Sequence, residues 1–253
     1  MAEGKISGIF NYCDRWCERC TFTTRCAVYE DETEVPSEAL DMKNKAFWDR
    51  LGENFLKAKD LLQKVAEESG VDLQAVQVEM QEKERREERI KHESQEHPLS
   101  QLTFKYSATG SEWLKTQPGM LDRLDALKTE LTLGVESQEG ARKQTVTIKD
   151  SLAVIQWYLT FIHVKLVRAL MGKMSSVPED DQDDYPRDYD GSAKIALIAV
   201  ERSIHAWSQL FEILPDKEDD FLNILSMLTR IRAMAEEEFP GAMDFVRPGF
   251  DEA

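Results

Sequence analysis

No cysteine follows Cys26, and no apolar run is long enough to cross a bilayer uninterrupted. The longest apolar stretch begins at Leu152 but is broken by Gln156, His163, Lys165 and Arg168, whereas a spanning helix needs about 20 mostly apolar residues. Glycine and proline are sparse, at 12 and 8 residues in 253. Neither GxGxxG nor GxxxxGK[ST] occurs, so the strand–loop–helix punctuation of nucleotide-binding α/β folds is missing. G-x-S-x-G is absent as well, which leaves serine hydrolase chemistry without support. Basic residues are in deficit, 32 against 48 acidic, for a net charge of −16. Such a surface repels phosphate backbones, and no nucleic-acid partner is expected. The opening residues MAEGKISGIFNYC lack the basic-then-apolar pattern of a secretory signal. A cytoplasmic location with no membrane partner is the resulting expectation.

What is present is helical periodicity. Phe47, Trp48, Leu51, Phe55, Ala58, Leu61, Leu62 and Val65 recur at three- and four-residue steps, which predicts a helix capped by Ser37, ending near Glu68 and stopped by Gly70. Asp72 is placed to cap a second helix carrying Leu73, Val76 and Met80. That helix runs into QEKERREERIKHESQE, where opposite charges at helical spacing predict a solvated surface held by i,i+4 pairs. Pro98 marks a boundary, followed by a helix over Leu99 to Lys115 interrupted near Gly110, and a short one on Leu121 to Leu131 ended by Gly134. The strongest pattern, Leu152, Ile155, Leu159, Ile162 and Leu166, predicts a helix from Thr145 to Met171. Pro178 to Asp190 is acidic and loop-like, without the ligand order of an EF-hand. Two further helices run from Gly191 to Leu214 and, capped by Asp216, from Lys217 to Glu238. No alternating strand pattern occurs. The expected fold is therefore all-α, an antiparallel helical bundle over residues 36–240. A small metal-binding cysteine loop at 1–35 precedes it, and a tail at 241–253 docks through Phe245, Val246 and Phe250.

All four cysteines, Cys13, Cys17, Cys20 and Cys26, fall in C-x3-C-x2-C-x5-C. Chance does not gather every cysteine of a chain in one such window. Disulfides between cysteines this close would close tiny loops of little stabilising value, and a reducing compartment favours a metal. Structural zinc usually takes two separated C-x2-4-C knuckles, and here no second knuckle stands apart from Cys17–Cys20. A [4Fe–4S] cluster is larger, and four thiolates on one wrapping loop suit its corners. Arg15, Arg19 and Arg25 outnumber Asp14 and Glu18 beside them, which suits an anionic cluster, and Trp16 and Phe22 could shield its sulfurs. Zn2+ stays as the alternative.

The last three cysteines, C-x2-C-x5-C, with Tyr29 three residues on, resemble the end of the cluster loop in endonuclease III-type DNA glycosylases, C-x6-C-x2-C-x5-C. The resemblance covers residues 13–29 and implies a [4Fe–4S] cluster on Cys13, Cys17, Cys20 and Cys26. The first spacing is three residues where those enzymes have six. The leading C-x3-C-x2-C is similar to the radical-SAM signature, but those enzymes leave one iron open, a corner Cys26 would close. The glycine-rich DNA-binding hairpin of the glycosylases is missing, so the resemblance extends to the metal and not to the reaction.

A second candidate lies in the bundle, where His163 sits beside the apolar stripe of one helix and His205 stands one turn from Glu201 on another. An imidazole and a carboxylate four apart can ligate a metal or relay a proton, although no Glu-x-x-His of the di-iron type occurs in these helices. Three functions compete. The first is electron transfer or redox sensing through a cluster, with a protein redox partner. The second is a zinc-stapled acidic adaptor without catalysis. The third is an enzyme using His163, Glu201 and His205. A homo-oligomer is compatible with each.

Overall fold

The computed structural model describes residues 4–34, 43, 45–69, 73–116, 119–176, 188–214 and 217–251. Their regular structure is helical throughout, so the chain is all-α as the periodicity predicts. In chain order α1 spans Ala27–Glu34, α2 Lys45–Ser69, α3 Leu73–Glu96, α4 Pro98–Thr116, α5 Met120–Thr132, α6 Gln138–Ser175, α7 Asp188–Ile213 and α8 Glu218–Glu238. The expected caps Ser37, Asp72 and Asp216, the stop at Gly70, the boundary at residues 35–36 and most of the acidic loop lie outside the described residues.

The chain divides into two compact units, Met1–Asn11 with Arg15–Arg89, and Tyr12–Asp14 with Ile90–Ala253. In the first, the backbone N–H of Ile6 donates to the Arg25 carbonyl at 3.0 Å and Lys5 pairs with Glu30 at 2.8 Å, lacing the N-terminus to the cysteine turns and α1. The charged run at the end of this unit, Gln81 to Arg89, is exposed throughout, as its composition predicts.

The second unit holds a four-helix bundle whose directions follow from its residue pairings. Ser151 meets Gln209, Tyr158 meets Arg202 and Gly172 meets Tyr189, so α6 and α7 are antiparallel. Arg232–Glu201 and Phe221–Trp207 make α7 and α8 antiparallel. His163–Thr103 and Leu159–Gly110 do the same for α4 and α6, and His97–Glu238 with Trp113–Phe221 for α4 and α8. Four antiparallel neighbours close an up–down bundle. Its centre is aromatic. Trp207, Tyr106 and Phe221 are fully buried, Trp113 meets Trp207 edge-on at 4.9 Å, and the Trp207 indole N–H donates to the Tyr106 hydroxyl at 3.2 Å.

Three sequence expectations are corrected. Helix α4 runs unbroken through Gly110, because the missing side chain is what lets α6 approach: a Cβ there would lie 2.4 Å from Leu159 Cδ1. Helix α6 begins before Thr145, at Gln138, because the Ser137 hydroxyl accepts the Gly140 N–H at 2.9 Å and caps it. Helix α7 starts at Asp188 instead of Gly191.

The tail docks, but by more than its apolar residues. Buried Lys194 of α7 donates to the carbonyls of Phe245 at 2.7 Å and Met243 at 3.1 Å and pairs with Asp251 at 2.8 Å. The Arg247 guanidinium, helped by Lys194, holds the Asp251 carboxyl well below the usual carboxylate range. Of the expected anchors Phe245 is buried while Val246 is exposed.

Gly110→Ala tests the packing. Helix propensity alone would stabilise α4 by about 1 kcal/mol, whereas overpacking costs about 1–3 kcal/mol. With Leu159 at 2.4 Å the clash wins, so urea denaturation is expected to show a less stable protein.

Candidate functional site

Short turns organise the cysteine loop. Within the first unit, 3-10 turns at Cys17–Arg19 and Thr23–Arg25 are each closed by the next cysteine: the Cys20 N–H donates to the Cys17 carbonyl at 3.2 Å and the Cys26 N–H to that of Thr23 at 3.3 Å. Cys26 stands directly before α1, and its carbonyl accepts the Glu30 N–H at 3.4 Å. The Phe22 backbone N–H donates to Cys20 Sγ at 3.4 Å, the kind of bond that stabilises a thiolate and tunes a bound metal. The Arg19 guanidinium stacks on the Trp16 ring, 3.9 Å from its centroid. Arg15 adopts φ +59°, a left-handed conformation that non-glycine residues seldom take and that turns the chain sharply within C-x3-C.

Cys13 belongs to the second unit, flanked by two anchored residues. On one side the Tyr12 hydroxyl donates to Asp188 Oδ1 at 2.8 Å and its ring packs against Phe245 at 4.7 Å. Gly191 opens the space for that ring, since a Cβ there would stand 2.5 Å from Tyr12 Cδ1. On the other side Asp14 is held three ways. Its carbonyl accepts the Trp157 indole N–H at 2.9 Å, and its Oδ2 accepts from the Tyr158 hydroxyl at 2.6 Å and from Arg202 Nη1 at 2.7 Å. Burial, reinforced by Asp14, pushes the Tyr158 phenol up to about 12, and burial with Asp188 does the same for Tyr12.

All four cysteines are half-buried thiols. Among the described residues no three Cys, His, Asp or Glu side chains converge as metal ligands. By chemistry the donor set is of the soft kind that thiolate-bound metals take, four thiols within residues 13–26, with Cys20 Sγ already receiving a backbone N–H.

Among the bundle candidates, His163, Glu201 and His205 do not gather as three metal ligands. His163 Nδ1 lies 2.9 Å from Thr103 Oγ1, which donates to the Ser100 carbonyl. Burial pushes the imidazole below its ordinary value, and Ser100 partly opposes that. Glu201 faces Arg232 Nη1 at 2.7 Å, and His205 is exposed. A cleft of about 740 Å³ lies elsewhere in the second unit, lined by Gly119, Asp122, Arg123, Gln144, Glu212 and Lys217. Its cations and carboxylates balance, and Arg123 is already bonded to Glu130 and Gln144.

The sequence did not reveal the anchors Tyr158 and Arg202, which lie 144 and 188 residues from Asp14. No local spacing signals a partner that distant. Fold and site together define an all-α protein with a cysteine-rich loop. No known family, curated protein or solved structure matches the chain.

Two measurements check the anchors. Asp14→Leu leaves the buried Tyr158 hydroxyl without its acceptor and is expected to cost about 1–3 kcal/mol in urea denaturation. Alkali should act on the same contacts. The unfolded chain releases tyrosine protons near pH 10, while folded Tyr12 and Tyr158 keep theirs to about 12. Stability therefore declines as pH rises from about 10 to 12, and this decline should be shallower in Tyr158→Phe.

Proposed function

We propose that the protein binds a [4Fe–4S] cluster through Cys13, Cys17, Cys20 and Cys26 and works in electron transfer or redox sensing. One observation carries this reading: every cysteine of the chain lies in C-x3-C-x2-C-x5-C. A cluster held there by Cys13, Cys17, Cys20 and Cys26 would supply one-electron chemistry between a donor and an acceptor protein, or the oxygen sensitivity that a sensor needs. The chain's own residues set the conditions. Phe22 donates its N–H toward the Cys20 sulfur, and the charges of Arg15, Arg19 and Arg25 favour the reduced, more negative state. Asp14 and Tyr12 fix the backbone on either side of Cys13, so that thiol has little conformational freedom to lose on ligation. With a net charge of −16, the redox partner should present a basic face.

Anaerobic purification with iron, sulfide and zinc quantification tests the reading. A brown protein with about four irons and four sulfides per chain, bleached by dithionite, is expected. Each single cysteine-to-serine variant should lose most of its iron. A colourless protein holding one zinc per chain would overturn the redox reading and leave the loop as the staple of an acidic adaptor.

A further inference from the structure

Within the second unit, the C-terminal tail meets the segment before Cys13 at the start of α7. Phe245 is buried there, its ring 4.7 Å from that of Tyr12. The two rings meet over Gly191, where a Cβ would stand 2.5 Å from Tyr12 Cδ1 and 2.8 Å from Phe245 Cε1. Tyr12 is thus held between α7 and the tail, with its hydroxyl donating to Asp188. Apolar burial along the tail is slight, since Ala242 and Phe245 are the buried residues of 241–251. The remaining hold is polar. Lys194 Nζ donates to the Met243 and Phe245 carbonyls and pairs with Asp251 Oδ2 at 2.8 Å. Arg247 Nη2 donates to Oδ1 of the same carboxylate at 2.8 Å. One ammonium, its side chain 11% exposed, therefore sets the register of the whole tail on α7.

We propose that residues 241–251 form a releasable strap, which clamps Tyr12 when docked and thereby positions Cys13, the one cysteine of the second unit. Such a lock is specific in register but modest in strength. Desolvation offsets much of the attraction in an ion pair taken out of water, and undocking returns both charges to solvent. A tail fastened by buried apolar side chains would lack that offset. Cys13 feels the strap through its neighbour. Release uncovers the Tyr12 ring and loosens the chain on that side, while Asp14 stays bonded to Trp157, Tyr158 and Arg202 on the other. Lys194, Phe245 and Asp251 are therefore positioning residues that act through Tyr12. The consequence for a bound metal rests on the reading of Cys13 as a ligand, whereas the strap itself does not.

Thiol alkylation tests it, with the full chain reduced, freed of metal by a chelator and treated with iodoacetamide. Trypsin cuts after Arg15, Arg19 and Arg25, so each cysteine falls on its own peptide and its rate is read by mass spectrometry. Asp251→Ala should speed alkylation of Cys13 by about tenfold, the change that losing one charge-assisted bond makes to a local opening. Phe245→Ala should raise the same rate. Cys17, Cys20 and Cys26 should react as in the wild type in both variants. Val246→Ala, a change at an exposed position of the same tail, should leave all four rates unaltered. Unchanged helical circular dichroism would show that the bundle stays folded. A wild-type Cys13 rate in Asp251→Ala, or an equal rise at all four cysteines, overturns the proposal. Iron and sulfide content before chelation decides the metal reading separately, so either can fail while the other stands.

Discussion

Trp207 is the residue around which the bundle closes. It is fully buried on α7, meets Trp113 of α4 edge-on and Phe221 of α8, and donates its indole proton to Tyr106. A ring system of that size fits among four helices only if a neighbour yields space. Gly110 yields it, by allowing Leu159 of α6 to lie where a side chain would stand. The aromatic centre and the glycine are therefore one device. The large residue supplies buried area and edge-to-face packing, and the absent one lets the helix backbones approach closely enough to use it.

From that centre the rest of the second unit follows in register. Once α6 and α7 are antiparallel, Tyr158 and Arg202 come to the same level and together form a socket for one carboxylate, Asp14. The start of α7 supplies the companion socket, with Asp188 for the Tyr12 hydroxyl and Gly191 beneath its ring. Polar anchors of this kind are directional. A buried hydroxyl needs its acceptor in place, whereas an apolar contact tolerates sliding. Residues 12–14 are thus held with more precision than hydrophobic burial alone would give, and the residue between the anchors is Cys13.

Much of the fold was legible because helical periodicity is local. Leu152, Ile155, Leu159, Ile162 and Leu166 announce α6 without reference to any other segment, and Ile155, Ile162 and Leu166 are indeed fully buried. Gly110 misled for the opposite reason. A glycine within a helical pattern signals interruption when only propensity is weighed, and its role as an approach point depends on Leu159 and Trp207, which a local reading cannot place. The early start of α6 shows the same limit in smaller form, since the Ser137 cap lies outside the apolar stripe. Of the candidate site, the cysteine spacing was plain from the sequence, while the sockets for Tyr12 and Asp14 were not. His163, Glu201 and His205 shared helices with the right spacing, yet His163 lies against Thr103 and Glu201 against Arg232.

Net charge is a sum, and its distribution along the chain carries more information. A value of −16 excludes a phosphate-binding surface only if the acidic residues are spread evenly. They are not. Around the cysteines three arginines outnumber two carboxylates, whereas α2 carries five of each. The cationic exception occurs where physical chemistry gives positive charge something to do, beside four thiols that would bear an anionic cluster. The same residues in a basic chain would pass as background. Against an acidic one they set the cysteine stretch apart.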